Sequence, residues 1–306
     1  MTRITITGAT GLIGTKLVAA LQARGDEVTV LSRRPKDARR MLGVDAVGWQ
    51  PEAEPAPVDG IAGRDGVVHL AGEPIAQRWT QESKERIRSS RELGTVRLVD
   101  GLEQSEPRPR ILVTASAVGY YGARGDERLT EDAPPGENFL ASVCEEWERA
   151  AAAATNLCVR TVILRTGVLL DPADGALAKM LPPFRLGVGG PVAGGHQYIS
   201  WIAPDDLVRM YLAALDNPDW SGPFNATAPE PVTNRQFAHA LGAALHRPAL
   251  LPIPAFALRT LYGEMATVVT AGQRALPVRA LEHGFEFRYP AIDGGLRAAL
   301  ARRQSA

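Results

Sequence analysis

Ile4, Thr5, Ile6 and Thr7 are all β-branched, the character of a buried strand. Apolar Ile13, Leu17, Ala20 and Leu21 then recur at helical spacing up to Gly25, which predicts a helix. Residues 28–31 read as a second strand. A strand, a helix and a strand in that order predict a crossover within a parallel sheet, the doubly wound α/β class.

Further on, residues 67–70 and 111–114 supply short apolar strands, with a helix expected between them over 86–102. The stretch 50–60, rich in Pro, Ala and Glu, reads as a surface loop. Residues 140–155 are alanine-rich and predict a helix, and 159–164 a further strand. Beyond that point the pattern changes. Leu181, Pro182, Pro183 and the glycines from 187 to 195 are expected to break any long element and to form loops over a cleft. Thr233 is placed to cap a helix over 234–245. The expected organisation is a Rossmann-type domain over 1–165 and a smaller mixed domain over 166–306, with the chain free to cross between them.

The chain has 306 residues, 45% of them hydrophobic and 22% charged, ample for a globular core. Its 34 basic and 34 acidic residues cancel, so no global field favours nucleic acid or an anionic membrane, and partners must be recognised locally. Cys144 and Cys158, the only cysteines, rule out a disulfide framework and suit a reducing compartment. The strand at Ile4 leaves no room for a signal peptide before it, and no apolar run approaches the roughly 20 residues that span a bilayer. A cytoplasmic location is expected.

Gly8, Gly11 and Gly14 fall where the first strand meets the first helix. Glycines there allow a tight turn, let backbone N–H groups approach a pyrophosphate and let the helix pack against the sheet, while the helix N-terminus attracts negative charge. Gly8, Thr10, Gly11, Leu12, Ile13 and Gly14 are therefore expected to hold a dinucleotide. An NAD site sets a carboxylate at the end of the second strand for the ribose 2′-hydroxyl, whereas a 2′-phosphate calls for arginine. Ser32, Arg33 and Arg34 stand there instead, so Ser32 and Arg33 point to NADP. The alternative is a solvated basic loop, since Lys36, Arg39 and Arg40 continue the run.

These residues, with His69-Leu70-Ala71-Gly72 and Thr114-Ala115-Ser116 at strand ends, resemble the extended short-chain dehydrogenase/reductase superfamily. More narrowly, the chain is similar to its atypical sugar-nucleotide-epimerase-like subgroup, whose members carry a C-terminal domain of unknown function. Residues 71–75, 116–122, 139–141 with Val143-Cys144, Trp147-Glu148, 181–184, 200–202 and 284–290 carry that match. The resemblance implies that Leu70, Ala71 and Gly72 pass beneath the cofactor and that Glu73 and Arg78 contact it. It also implies a catalytic serine, tyrosine and lysine, the lysine four residues after the tyrosine, lowering its pKa. Ser116 matches the serine. None of the four lysines, at 16, 36, 84 and 179, follows a tyrosine at that spacing, and Leu140 and Cys144, or Phe139 and Val143, occupy the expected places. Arg91 stands where an asparagine is usual. Tyr121 or Tyr120 is the nearest phenol for proton transfer, with packing as the alternative reading.

Lys179, Arg185, Gln197, Ser200 and Trp201 are candidates for a substrate pocket between the halves. The histidines show no metal-ligand spacing, so no metal site is expected. The leading expectation is an NADP-dependent oxidoreductase or epimerase-like enzyme acting on a carbonyl or sugar-like small molecule. The rival is a non-catalytic NADPH-binding regulatory or sensor module. No nucleic-acid or membrane partner is expected, and a homodimer is left open because relatives often pair through helices.

Overall fold

The computed structural model describes residues 1–301, apart from the side chains of residues 257, 261 and 262. Seven strands, β1 (Arg3–Thr7), β2 (Glu27–Ser32), β3 (Asp45–Gly48), β4 (Gly66–His69), β5 (Ile111–Ala117), β6 (Arg160–Thr166) and β7 (Gly222–Ala226), form the main sheet. Their order is β3-β2-β1-β4-β5-β6-β7 and every pairing is parallel. This is the expected Rossmann-type α/β sheet, and the chain switches direction between β1 and β4, where such sheets open a crevice at their carboxyl ends.

Alternation along the strands divides the core into two faces. Ile6, Val30, Val68, Val113 and Leu164 pack on the side covered by α1 (Leu12–Arg24) and α6 (Pro204–Asp216). Val67 and Leu112 point to the other side, towards Leu98 and Leu102 of α3 (Gln81–Gln104) and Ala151 of α4 (Phe139–Ala152). α3 begins earlier than the expected residue 86 because Thr80 and Ser83 make a capping box, the Thr80 hydroxyl accepting from Ser83 N at 3.1 Å and the Ser83 hydroxyl from Thr80 N at 2.7 Å. Thr233 caps α7 (Asn234–Leu245), as its position suggests, with Gln236 closing a second capping box.

The outermost strand comes from the second half of the chain. Its Gly222-Pro223-Phe224-Asn225-Ala226 sequence carries no strand signature, but at the sheet edge the missing Pro223 N–H leaves only one neighbour to satisfy. Trp220 and Phe224 stack at 4.2 Å and anchor it. Arg160 of β6 donates to the carbonyls of Ala214 and Trp220 at 3.0 and 2.8 Å, closing the end of α6. A second apolar cluster, with Leu177, Leu181, Phe184, Trp201, Phe237 and Leu296, holds the later helices together.

One expectation is overturned. Leu181, Pro182 and Pro183 do not break the chain but lie within α5 (Gly175–Arg185). Each proline leaves one i→i−4 hydrogen bond unmade, and burial of Leu177, Leu181 and Phe184 on one face offsets that loss.

At the end of β4, His69 is fully buried. The Thr7 hydroxyl accepts from the backbone N–H groups of Leu70 and Ala71 at 3.2 Å, so its proton goes to His69 Nδ1 at 2.7 Å. His69 Nε2 therefore carries the hydrogen and donates to the Thr95 hydroxyl at 3.1 Å, which donates to the Arg91 carbonyl. This chain fixes the backbone turn at Leu70 and Ala71. Burial, and secondarily the Arg91 charge, push the imidazole down from 6.5 to about 4. The unfolded chain takes up this proton first, so the contribution of neutral His69 is complete above pH 6.5 and is lost as pH falls towards 4. We expect the wild-type protein to lose about 3 kcal/mol more than a His69→Gln variant across that window in urea unfolding. Equal losses in the two proteins would contradict this account of His69.

Candidate functional site

Two cavities open along the carboxyl ends of the strands. The first, about 380 Å³, is bounded by the ends of β1, β2 and β4. The second, about 460 Å³, is bounded by the segments that leave β5 and β6. The strip after β4 runs between them, with Glu73 and Pro74 lining the first and Ile75 the second.

The glycine turn forms the floor of the first cavity. Gly8 has φ +68°, and a Cβ there would lie 2.6 Å from the Leu70 carbonyl carbon, so β1 can approach β4 this closely only with glycine. A Cβ on Gly14 would lie 2.5 Å from Ala9 Cα, which fixes how near α1 stands to the sheet. Gly11 differs: its Cβ would meet only the Gly8 carbonyl, at 3.3 Å. Gly11 is also the N-cap of α1, where no side chain caps the helix and no acid lies in the first turn. The positive end of the helix thus meets the cavity uncompensated by the protein.

Gly8, Thr10, Gly11, Ser32, Arg33, Leu70, Ala71, Gly72 and Glu73 all border this cavity. Leu12, Ile13 and Gly14 do not; they form the first turn of α1 behind it. Arg33 is exposed and has no ion pair among the described residues, whereas Arg34 lies outside the lining and donates its N–H to the Ser32 hydroxyl at 3.1 Å. Arg78 borders neither cavity, and its carbonyl accepts from the Ser83 hydroxyl at 3.0 Å. Sequence reasoning missed Trp49, Pro51, Glu52 and Ser90. Trp49 is buried, its indole N–H donating to the Glu54 carbonyl at 3.1 Å, and the loop after it folds over the cavity. An aromatic residue directly before a proline-rich loop was the available signal. Ser90 accepts from Glu73 N at 2.9 Å and holds the strip after β4 in place.

Ile75, Trp79, Val118, Phe139, Leu140 and Val168 form the walls of the second cavity, and Val268 and Ala271 close it from the short helix Ala266–Thr270. The expected substrate residues do not gather here. Lys179 donates to the Ala76 carbonyl at 2.9 Å, the Gln197 side chain donates to the Val192 and Val269 carbonyls at 3.1 Å, and the Ser200 hydroxyl donates to the Gln273 carbonyl at 2.8 Å. Trp201 is buried and bonds the Glu230 carbonyl at 3.0 Å, while Arg185 is exposed with its carbonyl accepting from Arg247 at 3.2 Å. They brace loops.

Ser116 and Tyr121 meet in a buried network behind this cavity. The Ser116 hydroxyl donates to Glu148 Oε1 at 2.6 Å, and Arg165 grips the same carboxylate with Nε at 2.9 Å and Nη2 at 2.8 Å. Arg165 Nη1 also donates to the Tyr121 hydroxyl at 3.0 Å and to the Glu131 carbonyl at 2.9 Å. The Tyr121 hydroxyl donates to Asn225 Oδ1 at 2.7 Å. The guanidinium lies 3.5 Å over the Tyr120 ring. Burial pushes the fully enclosed Tyr121 phenol up to about 12, with Arg165 opposing only in part. Burial likewise lifts the Cys144 thiol to about 12. Arg91 lies beneath Gly72, where a Cβ would sit 3.2 Å from its Cζ, and donates to the Glu73 and Ile87 carbonyls at 3.0 and 3.1 Å. Among the described residues no three His, Cys, Asp or Glu side chains gather to hold a metal ion. No described helix is long and apolar enough to cross a membrane.

Comparison with known proteins agrees with this architecture. Residues 4–226 match the model of the NAD dependent epimerase/dehydratase family, and residues 253–299 match a domain of unknown function, DUF1731. The chain is 44% identical to the Arabidopsis thaliana epimerase family protein SDR39U1 homolog, chloroplastic, covering 97% of this chain and 86% of that protein. The crystal structure of human epimerase family protein SDR39U1 (isoform 2) with NADPH superposes with a TM-score of 0.87 at 33% identity, covering 98% of this chain and 99% of that one. A nucleoside-diphosphate sugar epimerase from Corynebacterium glutamicum superposes with a TM-score of 0.76 at 36% identity, covering 99% of this chain and 61% of that one. On the span of the match, the glycine turn and the seven-stranded parallel sheet together, the chain belongs to the NAD dependent epimerase/dehydratase family.

Proposed function

We propose that the chain binds NADP(H) in its first cavity and acts in the cytoplasm as an oxidoreductase on a small carbonyl or sugar-like compound held in the second, without the tyrosine and lysine usual in such enzymes. Arg33 carries the cofactor half of this reading. It borders the first cavity at the end of β2 with no ion pair to its guanidinium among the described residues, where an NAD site would set a carboxylate. The uncapped N-terminus of α1 suits a pyrophosphate, with Thr10, Gly11, Leu12 and Ile13 around it. Leu70, Ala71, Gly72 and Glu73 would pass beneath the ribose, and Ser32 would join Arg33 at the 2′-phosphate. The human relative crystallised with NADPH supports the choice of cofactor.

The bound dinucleotide supplies a hydride. The chain's own contribution is to bind and orient the carbonyl, and the proton taken up with the hydride comes from solvent water at the cavity mouth, because Ser116 and Tyr121 are both committed elsewhere. A phenol with no exposed surface, hydrogen-bonded on both sides and with its pKa raised to about 12, has no path for moving a proton to a substrate. The same observation favours the second reading, an NADPH sensor that performs no chemistry. In either case the ligand is a small molecule; whether the chain pairs as a homodimer is a separate proposal, tested by light scattering.

The cofactor assignment predicts that NADPH binds at least tenfold more tightly than NADH in calorimetry and that Arg33→Ala removes most of the difference, about 1.5–3 kcal/mol. Equal dissociation constants in the wild-type protein would refute it. For catalysis, we expect pre-bound NADPH to be oxidised by some member of a panel of aldehydes and ketones. Tyr121→Phe should keep that rate within about twofold while lowering stability by about 2–3 kcal/mol, because it removes two buried hydrogen bonds and leaves Asn225 Oδ1 without its donor. Turnover abolished in Tyr121→Phe would restore the phenol as a proton donor, and no turnover with any compound would leave the sensor.

A further inference from the structure

We infer that the second cavity takes a small, uncharged, ring-bearing compound and rejects nucleotide sugars. This deepens the reading above and rests on it only for the carbonyl that such a ring would carry. The cavity, about 460 Å³, has a single charged residue among the described residues that line it, and that residue is an acid, Glu264. A sugar nucleotide brings a diphosphate, which needs guanidinium or ammonium groups to replace its water.

The two cations beside the Phe139 ring are already engaged. Lys84 holds both Glu264 oxygens, at 2.8 and 2.6 Å, and Arg88 pairs with Glu146 at 3.0 Å. A diphosphate entering here would have to break one of these pairs and would still face the Glu264 or Glu146 carboxylate. The polar side chains of the lining are turned inward as well. Asn138 accepts from Ala141 N at 2.9 Å, Thr267 donates to the Glu264 carbonyl at 2.7 Å, and Gln273 donates to the Gly122 carbonyl at 2.8 Å. Most of what faces the space is apolar, and part of it is aromatic.

Trp79 and Phe139 meet edge to face at 5.2 Å, leaving ring surface for a flat ligand. Lys84 Nζ lies 5.1 Å from the Phe139 centroid and 6.0 Å from that of Trp79, so its charge polarises this pair while remaining matched by Glu264. An uncharged ring enters such a site by shedding water from both surfaces; an anion gains nothing to offset its own dehydration.

The test is calorimetric titration of NADP⁺-saturated protein, in which the aldehyde cannot be reduced, with naphthaldehyde and with UDP-glucose. Naphthaldehyde should bind at least tenfold more tightly than UDP-glucose. Trp79→Ala should weaken it about tenfold, and Val268→Asp, at an edge position that is 42% exposed, should weaken it comparably by adding a second carboxylate. NADP⁺ affinity, titrated separately, should be unchanged in both variants and serves as the check on folding. Equal or tighter binding of UDP-glucose, or no binding of naphthaldehyde to NADP⁺-loaded protein, overturns the inference. Failure of NADP⁺ to bind while naphthaldehyde still binds the unloaded protein sinks the cofactor reading instead and leaves the cavity assignment standing.

Discussion

A guanidinium and a carboxylate, Arg165 and Glu148, are buried together where α4 crosses the sheet, and much of the site follows from keeping them satisfied. Breaking such a pair from one side leaves an uncompensated charge and costs about 3–5 kcal/mol, although the intact pair adds little net stability. Every remaining donor and acceptor around it must therefore be matched. Ser116 of β5 donates to the carboxylate, the Glu131 carbonyl and the Tyr121 hydroxyl take up the outer guanidinium nitrogen, and Asn225 of β7 accepts the phenolic proton. Residues from both halves of the chain are thereby tied to one charge. β7 is held at the sheet edge by more than the stacking of Trp220 on Phe224.

This constraint explains why a serine at the expected place need not be a catalytic serine. A hydroxyl has one proton, and here it points at an oxygen 2.6 Å away that already carries negative charge. Turning it towards a substrate carbonyl would strip a bond from Glu148. The loss of the lysine is consistent with the same economy of charge. Leu140 and Cys144, or Phe139 and Val143, stand where the resemblance implies the tyrosine and lysine, and burial keeps the Cys144 thiol neutral. The second cavity is left with apolar walls because the charges of the region have been drawn behind it.

Much of the cofactor half was legible in the sequence, since local patterns decide it. Three glycines between a β-branched strand and a periodic helix admit few other structures, and Arg33 follows two residues after Leu31 at the strand end. His69-Leu70-Ala71-Gly72 could be located as a strand end for the same reason. The rest depends on residues distant in sequence. Nothing near Ser116 announces that Glu148 and Arg165, 32 and 49 positions on, will claim it. Pro182 and Pro183 read locally as a break, yet the buried face formed with Phe237 and Leu241 outweighs their missing donors. Trp49 and Glu52 sit in a composition that says loop, which is true, but composition does not say what a loop covers.

The two cavities also differ in how their specificity can arise. In the first, the proposed recognition rests on backbone N–H groups, a helix terminus and one guanidinium with no ion pair among the described residues, features that persist as long as the strand, turn and helix fold correctly. In the second, the walls are side chains from α4, the strip after β4 and the short helix Ala266–Thr270, held in part by a single exposed link between Lys84 and Glu264. An exposed pair of that kind contributes roughly 0–1 kcal/mol, so the wall it holds can shift at small cost. Dinucleotide binding is therefore set by the fold itself, while the choice of second ligand is set by a few replaceable side chains. A family can keep the first and change the second.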